Sequence, residues 1–278
     1  MSYKTIAVYL ARRENVESMM GVAIPLAESF EAHLSGFHVA SAVPMTTTIS
    51  AQVPPKVAQQ YVDLMLEDAK AIAAGFADSV KSISVPSEWR EYKEPFSDVS
   101  LLHAITEQAR CADLVIIGQT QSEQRVGELA ADIILGAGRP VLIVPQQGKF
   151  GAIFGLVVIG WDGSREAARA AFDALPFLKQ ADAVKIITVG ESGDAKNIPN
   201  NGSEFAKSLA RHGVNAEVVM LKSGDESAGE ALLTYTSDQD GDLLVMGCYG
   251  HSRLREYLFG GATRYVLKNM ITPTFMSN

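Results

Sequence analysis

Asp242-Leu-Leu-Val-Met-Gly247 is a short apolar run with an acidic start and a glycine end, and Asp113-Leu-Val-Ile-Ile-Gly118 is the same run in the first half of the chain. Repetition at this distance marks two copies of one unit. Arg139-Pro-Val-Leu-Ile-Val144 and Thr272-Pro-Thr-Phe-Met276 extend the match as proline-led final strands. At the other end of each copy, Thr5-Ile-Ala-Val-Tyr-Leu10 corresponds to Leu156-Val-Val-Ile-Gly-Trp161. The 278 residues therefore divide into domains 1–147 and 148–278, joined through the polar, glycine-containing stretch 146–151.

Within each copy, short β-branched runs alternate with longer stretches of helical period, the pattern of a parallel sheet covered on both faces. In the second copy the strands fall at 156–161, 183–189, 215–221, 242–246 and 273–276, and the helices at 164–179, 203–212, 227–238 and 262–270. Ser164, Ser203 and Ser227 stand where N-caps belong. The first copy has strands at 4–10, 34–40, 87–92, 113–117 and 140–144, and helices at 14–31, 56–81, 98–109 and 127–136. Residues 41–55 read as an insertion before its unusually long second helix. The fold class is α/β: two repeated Rossmann-like, doubly wound, five-stranded parallel-sheet domains. With strand order 3-2-1-4-5, the ligand crevice lies outside the carboxyl ends of strands 1 and 4, where the winding reverses. In the second copy those strands end in Trp161-Asp162-Gly163 and Met246-Gly247.

Beyond Gly247 the chain runs through Gly250 and the basic loop His251-Ser-Arg253 to Gly260-Gly261-Ala262-Thr263, where a helix begins. Glycines let the backbone approach an anion, and the free N–H groups of a first helical turn point at it. Residues 247–268 hold four basic side chains (Arg253, Arg255, Arg264, Lys268) against Glu256, a net +3 in a protein of net charge −8. The equivalent first-copy span, 118–135, holds Arg125 against Glu123, Glu128 and Asp132, a net −2. Aligning Pro140 with Pro273 sets Gly127 on Gly260, makes the first-copy loop four residues shorter and removes its second glycine. At the end of strand 1, Asp162 serves equally as a turn-forming Asx cap or as an acceptor for a ribose hydroxyl or an exocyclic amine. Its first-copy counterpart is Ala11.

Other chemistries lack their residues. There is no G-x4-G-K-[ST], no G-x-G-x-x-G after a first strand, no G-x-S-x-G elbow, and no metal-ligand spacing among the five histidines. The two cysteines, Cys111 and Cys248, read as free thiols. A pI near 5.2 argues against nucleic acid or anionic membrane as partners, and no run is long enough to span a bilayer. The N-terminus carries no signal-peptide core, so a cytoplasmic protein is expected.

An Asp-Gly-Ser tripeptide ending strand 1, a late strand running into G-x2-G-x9-G, and a short helix before a proline-led last strand together resemble the universal stress protein A family, here as a tandem pair. The resemblance implies strand order 3-2-1-4-5, pairing through the last strand of each domain, and a further dimer of chains. It also implies an adenine nucleotide, ATP with or without Mg, in the second domain. Asp162 would face the adenine and ribose, Val189 would line the base, and Gly247, Gly250 and Gly260 would surround the phosphates. His251 and Arg253 flank them, and Gly261, Ala262 and Thr263 open the helix. Nucleotide binders of the family carry Ser or Thr where this chain has Gly261, so the cradle keeps an N–H and lacks a hydroxyl. The loop offers positioning groups and no base to activate water, which favours a regulatory binding module with slow hydrolysis at most. The alternatives are an adenylate-forming or pyrophosphate-releasing enzyme on a related fold, and a module binding an apolar ligand or a protein.

Overall fold

The computed structural model describes residues 2–39, 54–92, 101–119, 128–151, 153–190, 202–222, 224, 226–248 and 261–278. The first half runs β1 (Thr5–Tyr9), a 3-10 turn (Arg13–Asn15), α1 (Val16–Phe30), β2 (His33–Val39), α2 (Pro55–Ser79), β3 (Ser87–Tyr92), α3 (Leu101–Arg110), β4 (Leu114–Gly118), α4 (Glu128–Ala137) and β5 (Val141–Val144). The second runs β6 (Leu156–Gly160), α5 (Arg165–Asp173), α6 (Leu175–Leu178), β7 (Ala183–Gly190), α7 (Gly202–Arg211), β8 (Ala216–Lys222), α8 (Ala228–Asp238), β9 (Leu243–Gly247), α9 (Ala262–Asn269) and β10 (Thr274–Ser277).

All ten strands form one sheet in the order β3-β2-β1-β4-β5-β10-β9-β6-β7-β8. Each half has the expected 3-2-1-4-5 order, and within each half every pairing is parallel. The halves join by the antiparallel pairing of their last strands, Phe275 opposite Leu142 and Met276 opposite Val141.

Alternation along the strands divides the core into two layers that cross the joint. Ile6, Val8, Leu142, Val157, Ile159 and Phe275 face a layer containing side chains of α1, α2, α5, α6 and α7. Ala7, Tyr9, Val141, Ile143, Val158 and Met276 face the other, supplied by α3, α4, α8 and α9. Both faces are covered, which is why the strands read as continuous apolar runs. At the joint, Tyr3 of the first half meets Phe177 of the second, and Phe30 meets Phe154 and Phe177, with ring centroids 5.3 to 5.8 Å apart, while Phe177 packs edge-on against Phe275 at 5.6 Å. Such pairs contribute about 0.5–1.5 kcal/mol each beyond their buried area. The Tyr3 hydroxyl donates to the Asp173 carbonyl at 2.6 Å. Burial and the nearby Asp173 and Asp113 charges hold that phenol well above its ordinary pKa.

Two helix expectations are corrected. The stretch 164–179 is not one helix: Ala174 separates α5 from α6, because Pro176 has no N–H for the carbonyl four residues back and its ring crowds that turn. Ser203 is not an N-cap, since α7 already begins at Gly202. Residues 41–53 of the insertion lie outside the described residues. No described helix is long and apolar enough to cross a membrane.

Candidate functional site

The carboxyl ends of β6 and β9 lie side by side, with Val157, Val158 and Ile159 paired to Leu243, Leu244 and Val245. β7 flanks β6 on one side and β9 flanks it on the other, so the winding reverses between β6 and β9. Asp162 follows β6 and is exposed. Its Oδ1 accepts the Ser164 N–H at 2.9 Å, closing an Asx turn over Gly163, whose φ of +75° suits glycine. Oδ2 has no partner among the described residues. Ser164 then caps α5, its Oγ accepting the Ala167 N–H at 3.1 Å. Asp162 thus closes the turn before α5 with one carboxylate oxygen and keeps the other unpaired among the described residues.

Gly247 has a packing reason of its own. A Cβ on it would lie 2.5 Å from the Ala167 nitrogen and 2.6 Å from the Glu166 carbonyl carbon, so only glycine lets the end of β9 rest on the first turn of α5. Glu166 is itself buried there and bridges to Arg165 at 2.7 Å. At the matching position of the first half, a Cβ on Gly118 would meet nothing closer than Met19 Sδ at 3.6 Å.

The start of α9 is the remaining described part of the expected site. Gly261 occupies its N-cap with no side-chain hydrogen bond, and its carbonyl takes the N–H groups of Arg264 at 3.1 Å and Tyr265 at 3.2 Å. Ala262 is half-buried and Thr263 buried. What seats this helix start is Gly229 of α8, where a Cβ would lie 2.7 Å from the Ala262 carbonyl oxygen. The sequence reading missed Gly229, although a glycine just inside a Ser-capped helix is a sign of close backbone approach. Val189, half-buried at the end of β7, pairs with Leu221 and packs on the α8 face of the sheet. The other missed feature is the Trp161 ring, stacked on Phe205 with centroids 3.8 Å apart and planes within 3°. Cys248 is buried and forms no disulfide. Gly250, His251, Arg253 and Gly260 lie outside the described residues.

Register establishes the first-half equivalents. Tyr9 pairs with Phe37 as Gly160 pairs with Ile187, so Ala11 stands in the place of Asp162. Where Gly160 leaves space that Leu232 of α8 enters, the first half has the buried Tyr9 ring against Phe37, centroids 5.4 Å apart. His38 corresponds to Thr188, and its Nδ1 lies 2.7 Å from the Leu10 carbonyl. At the described end of β1 the first half thus has the Tyr9 ring where the second has Gly160, and Ala11 where the second has the Asp162 carboxylate.

Strand order defines a doubled, doubly wound α/β protein. Residues 154–277 match the universal stress protein family, and the resemblance read from the sequence is borne out there. A universal stress protein of Synechocystis sp. is 29% identical over 214 residues, 74% of this chain and 71% of its own length. Among solved structures, a universal stress protein from Archaeoglobus fulgidus superposes with a TM-score of 0.75 at 16% identity, over 98% of this chain and 96% of that one. A candidate universal stress protein from Pseudomonas aeruginosa gives 0.57 at 13% identity, over 99% and 93%. These two likenesses concern the fold, and both extend across the two halves.

Proposed function

We propose that the second domain binds an adenine nucleotide, ATP, in the crevice between β6 and β9, and that the protein acts in the cytoplasm as a nucleotide-dependent regulatory module. In this reading the first domain is a structural partner without a site. The observation that carries it is the asymmetry of one repeated unit. Among the described residues the second copy keeps a half-used carboxylate at Asp162 and, as the N-cap of α9, a glycine with no side chain of its own to close the helix start. At the Asp162 position the first copy has Ala11, with its own Tyr9 ring filling the sheet end nearby.

The residues present suit the ligand. Asp162 Oδ2 is an acceptor for a hydroxyl or amine, Val189 offers an apolar wall to a base, and the helix start opened by Gly261 and Ala262 favours an anion electrostatically. ATP supplies a polyanion and a transferable phosphoryl group. In this reading the chain's residues bind and orient it. The basic side chains Arg253, Arg255, Arg264 and Lys268 add attraction in an otherwise acidic protein.

Isothermal titration calorimetry of the purified full chain tests the reading. Wild-type protein is expected to take up about one ATP per chain, Asp162→Ala and Gly250→Val to lose that uptake, and Ala11→Glu to leave it unchanged. Wild-type protein that neither co-purifies with nucleotide nor binds added ATP overturns it.

A further inference from the structure

Gln119, the residue after β4, is only 8% exposed, and its side chain crosses the joint between the halves. Nε2 donates to the Leu267 carbonyl at 3.1 Å and to the Lys268 carbonyl at 3.2 Å, both in the last turn of α9. Oε1 accepts the Gln146 N–H at 3.2 Å, where the connection between the halves begins. The backbone N–H of Gln119 meets the Val144 carbonyl at 2.8 Å, at the end of β5. These partners fix the orientation of the amide, since a flip would set its oxygen against two carbonyls and its NH2 against an N–H.

The last carbonyls of a helix have no partner within it. In α9 the Met270 N–H takes the Val266 carbonyl at 2.8 Å, and the Asn269 side chain takes the Tyr265 carbonyl at 2.9 Å. Those of Leu267 and Lys268 go to Gln119. Leu267 is 2% exposed, so water is poorly placed to replace the amide. The first half settles its matching helix end internally: Nε and Nη2 of Arg110 donate to the Gly136 carbonyl in the last turn of α4 at 3.2 and 3.1 Å. Cys248 stands at the place of Gln119 in the second half, its N–H meeting the Ser277 carbonyl at 2.9 Å. A thiol brings one weak donor where the amide brings two strong ones.

We infer that Gln119 is a positioning residue for the second-half site: from across the joint it fixes the C-terminal end of α9, and through that helix the start at Gly261, Ala262 and Thr263. Eight residues of helix rise about 12 Å, so a tilt at Leu267 is carried to the other end. Gly229 of α8 seats the start of α9, and Gln119 holds its finish. The effect on ATP rests on the nucleotide reading above; the hold on α9 does not.

Hydrogen exchange by mass spectrometry and calorimetry, both on the full chain at pH 7, test the two parts separately. Gln119→Glu keeps the size of the side chain and the acceptor for Gln146, removes both donors, and sets a negative charge beside the negative end of a helix. Amides of 263–270 are expected to exchange roughly three- to thirtyfold faster than in wild type. Peptides 128–137 and 183–190 are expected to keep wild-type rates, whereas a generally loosened fold would speed all three. Gln119→Met, which lacks the charge, is expected to move the same peptide in the same direction by less. ATP affinity of Gln119→Glu is expected to fall roughly three- to tenfold at unchanged stoichiometry. Wild-type exchange at 263–270, or equal acceleration of all three peptides, overturns the inference. So does full ATP affinity in a variant whose α9 exchanges faster. A wild-type protein that takes up no ATP sinks the nucleotide reading instead, and the exchange rates still decide whether Gln119 holds α9.

Discussion

The replacement Gly247→Ala tests how the candidate site is held. The added Cβ would lie 2.5 Å from the Ala167 nitrogen and 2.6 Å from the Glu166 carbonyl carbon, both backbone atoms of the first turn of α5. Non-bonded heavy atoms settle near 3.5–4.0 Å, so that turn has to retreat by roughly 1 Å. Overpacking of this order costs about 1–3 kcal/mol. The smaller conformational freedom of alanine in the unfolded chain returns about 0.5–1 kcal/mol. The net loss is about 0–2.5 kcal/mol, centred near 1 kcal/mol, and at that centre the melting temperature is expected to fall by roughly 2–4 °C for a protein of this size. Gly118→Ala is the internal control. It stands at the same place in the first half, and its nearest neighbours, Met19 Sδ at 3.6 Å and Asn15 Nδ2 at 3.8 Å, allow ordinary contact. That variant is expected to match or slightly exceed wild type. Urea unfolding and calorimetry of the three proteins decide the matter. Equal stability of Gly247→Ala and wild type, or an equal loss in Gly118→Ala, would refute the packing argument.

Two further outcomes follow from the same contacts. Gly229→Ala would force a Cβ to within 2.7 Å of the Ala262 carbonyl oxygen, so it is expected to cost about 1–3 kcal/mol in urea unfolding. It is also expected to weaken ATP uptake, because the start of α9 shifts; a variant with full affinity and stability would show that α8 does not position that helix. Burial pushes the Tyr9 phenol up to about 12 from an ordinary value of 10.0. A raised folded-state value means that its contribution is complete below pH 10 and is lost as the pH rises through about 12, since the unfolded chain ionises first. Stability relative to Tyr9→Phe is therefore expected to drop by roughly 2–3 kcal/mol between pH 10 and 12. A constant difference between the two proteins across that range would contradict the buried, protonated phenol.

Strands were the most legible part of the chain, for a reason that also limits the method. A parallel sheet buried on both faces leaves apolar runs such as Leu243–Gly247 with no competing signal, and their repetition at Leu114–Gly118 fixed the doubled order. Two of three N-caps were legible because a serine hydroxyl before a helix has one good use: Ser164 and Ser227 accept the N–H groups of Ala167 and Glu230. Ser203 misled because α7 starts one residue earlier, at a glycine that packs beneath Val218. Asp162 was legible as a position and open as a role, since both uses of a carboxylate look alike in sequence. Gly247 stood out as a strand-ending glycine suited to a phosphate. Its contact with α5 involves residues 166 and 167, some eighty positions away, and no local pattern could show it. The Trp161–Phe205 stack was missed on the same ground, since it depends on a partner from another element.

These contacts give α5 a position that neither half explains alone. Its first turn is capped by Ser164, turned by the Asx link from Asp162, and pressed against Gly247, so both walls of the crevice bear on it. Its last residue, Asp173, receives the Tyr3 hydroxyl from the first half through its carbonyl. Nine residues of helix rise only about 13 Å, so the crevice and the joint between the halves are held by opposite ends of one short rigid element. A first half that has lost Asp162's counterpart therefore has a physical reason to be kept. It supplies Tyr3, Phe30 and the β5 edge against which β10 closes, and so it fixes the element that shapes the crevice of the second half.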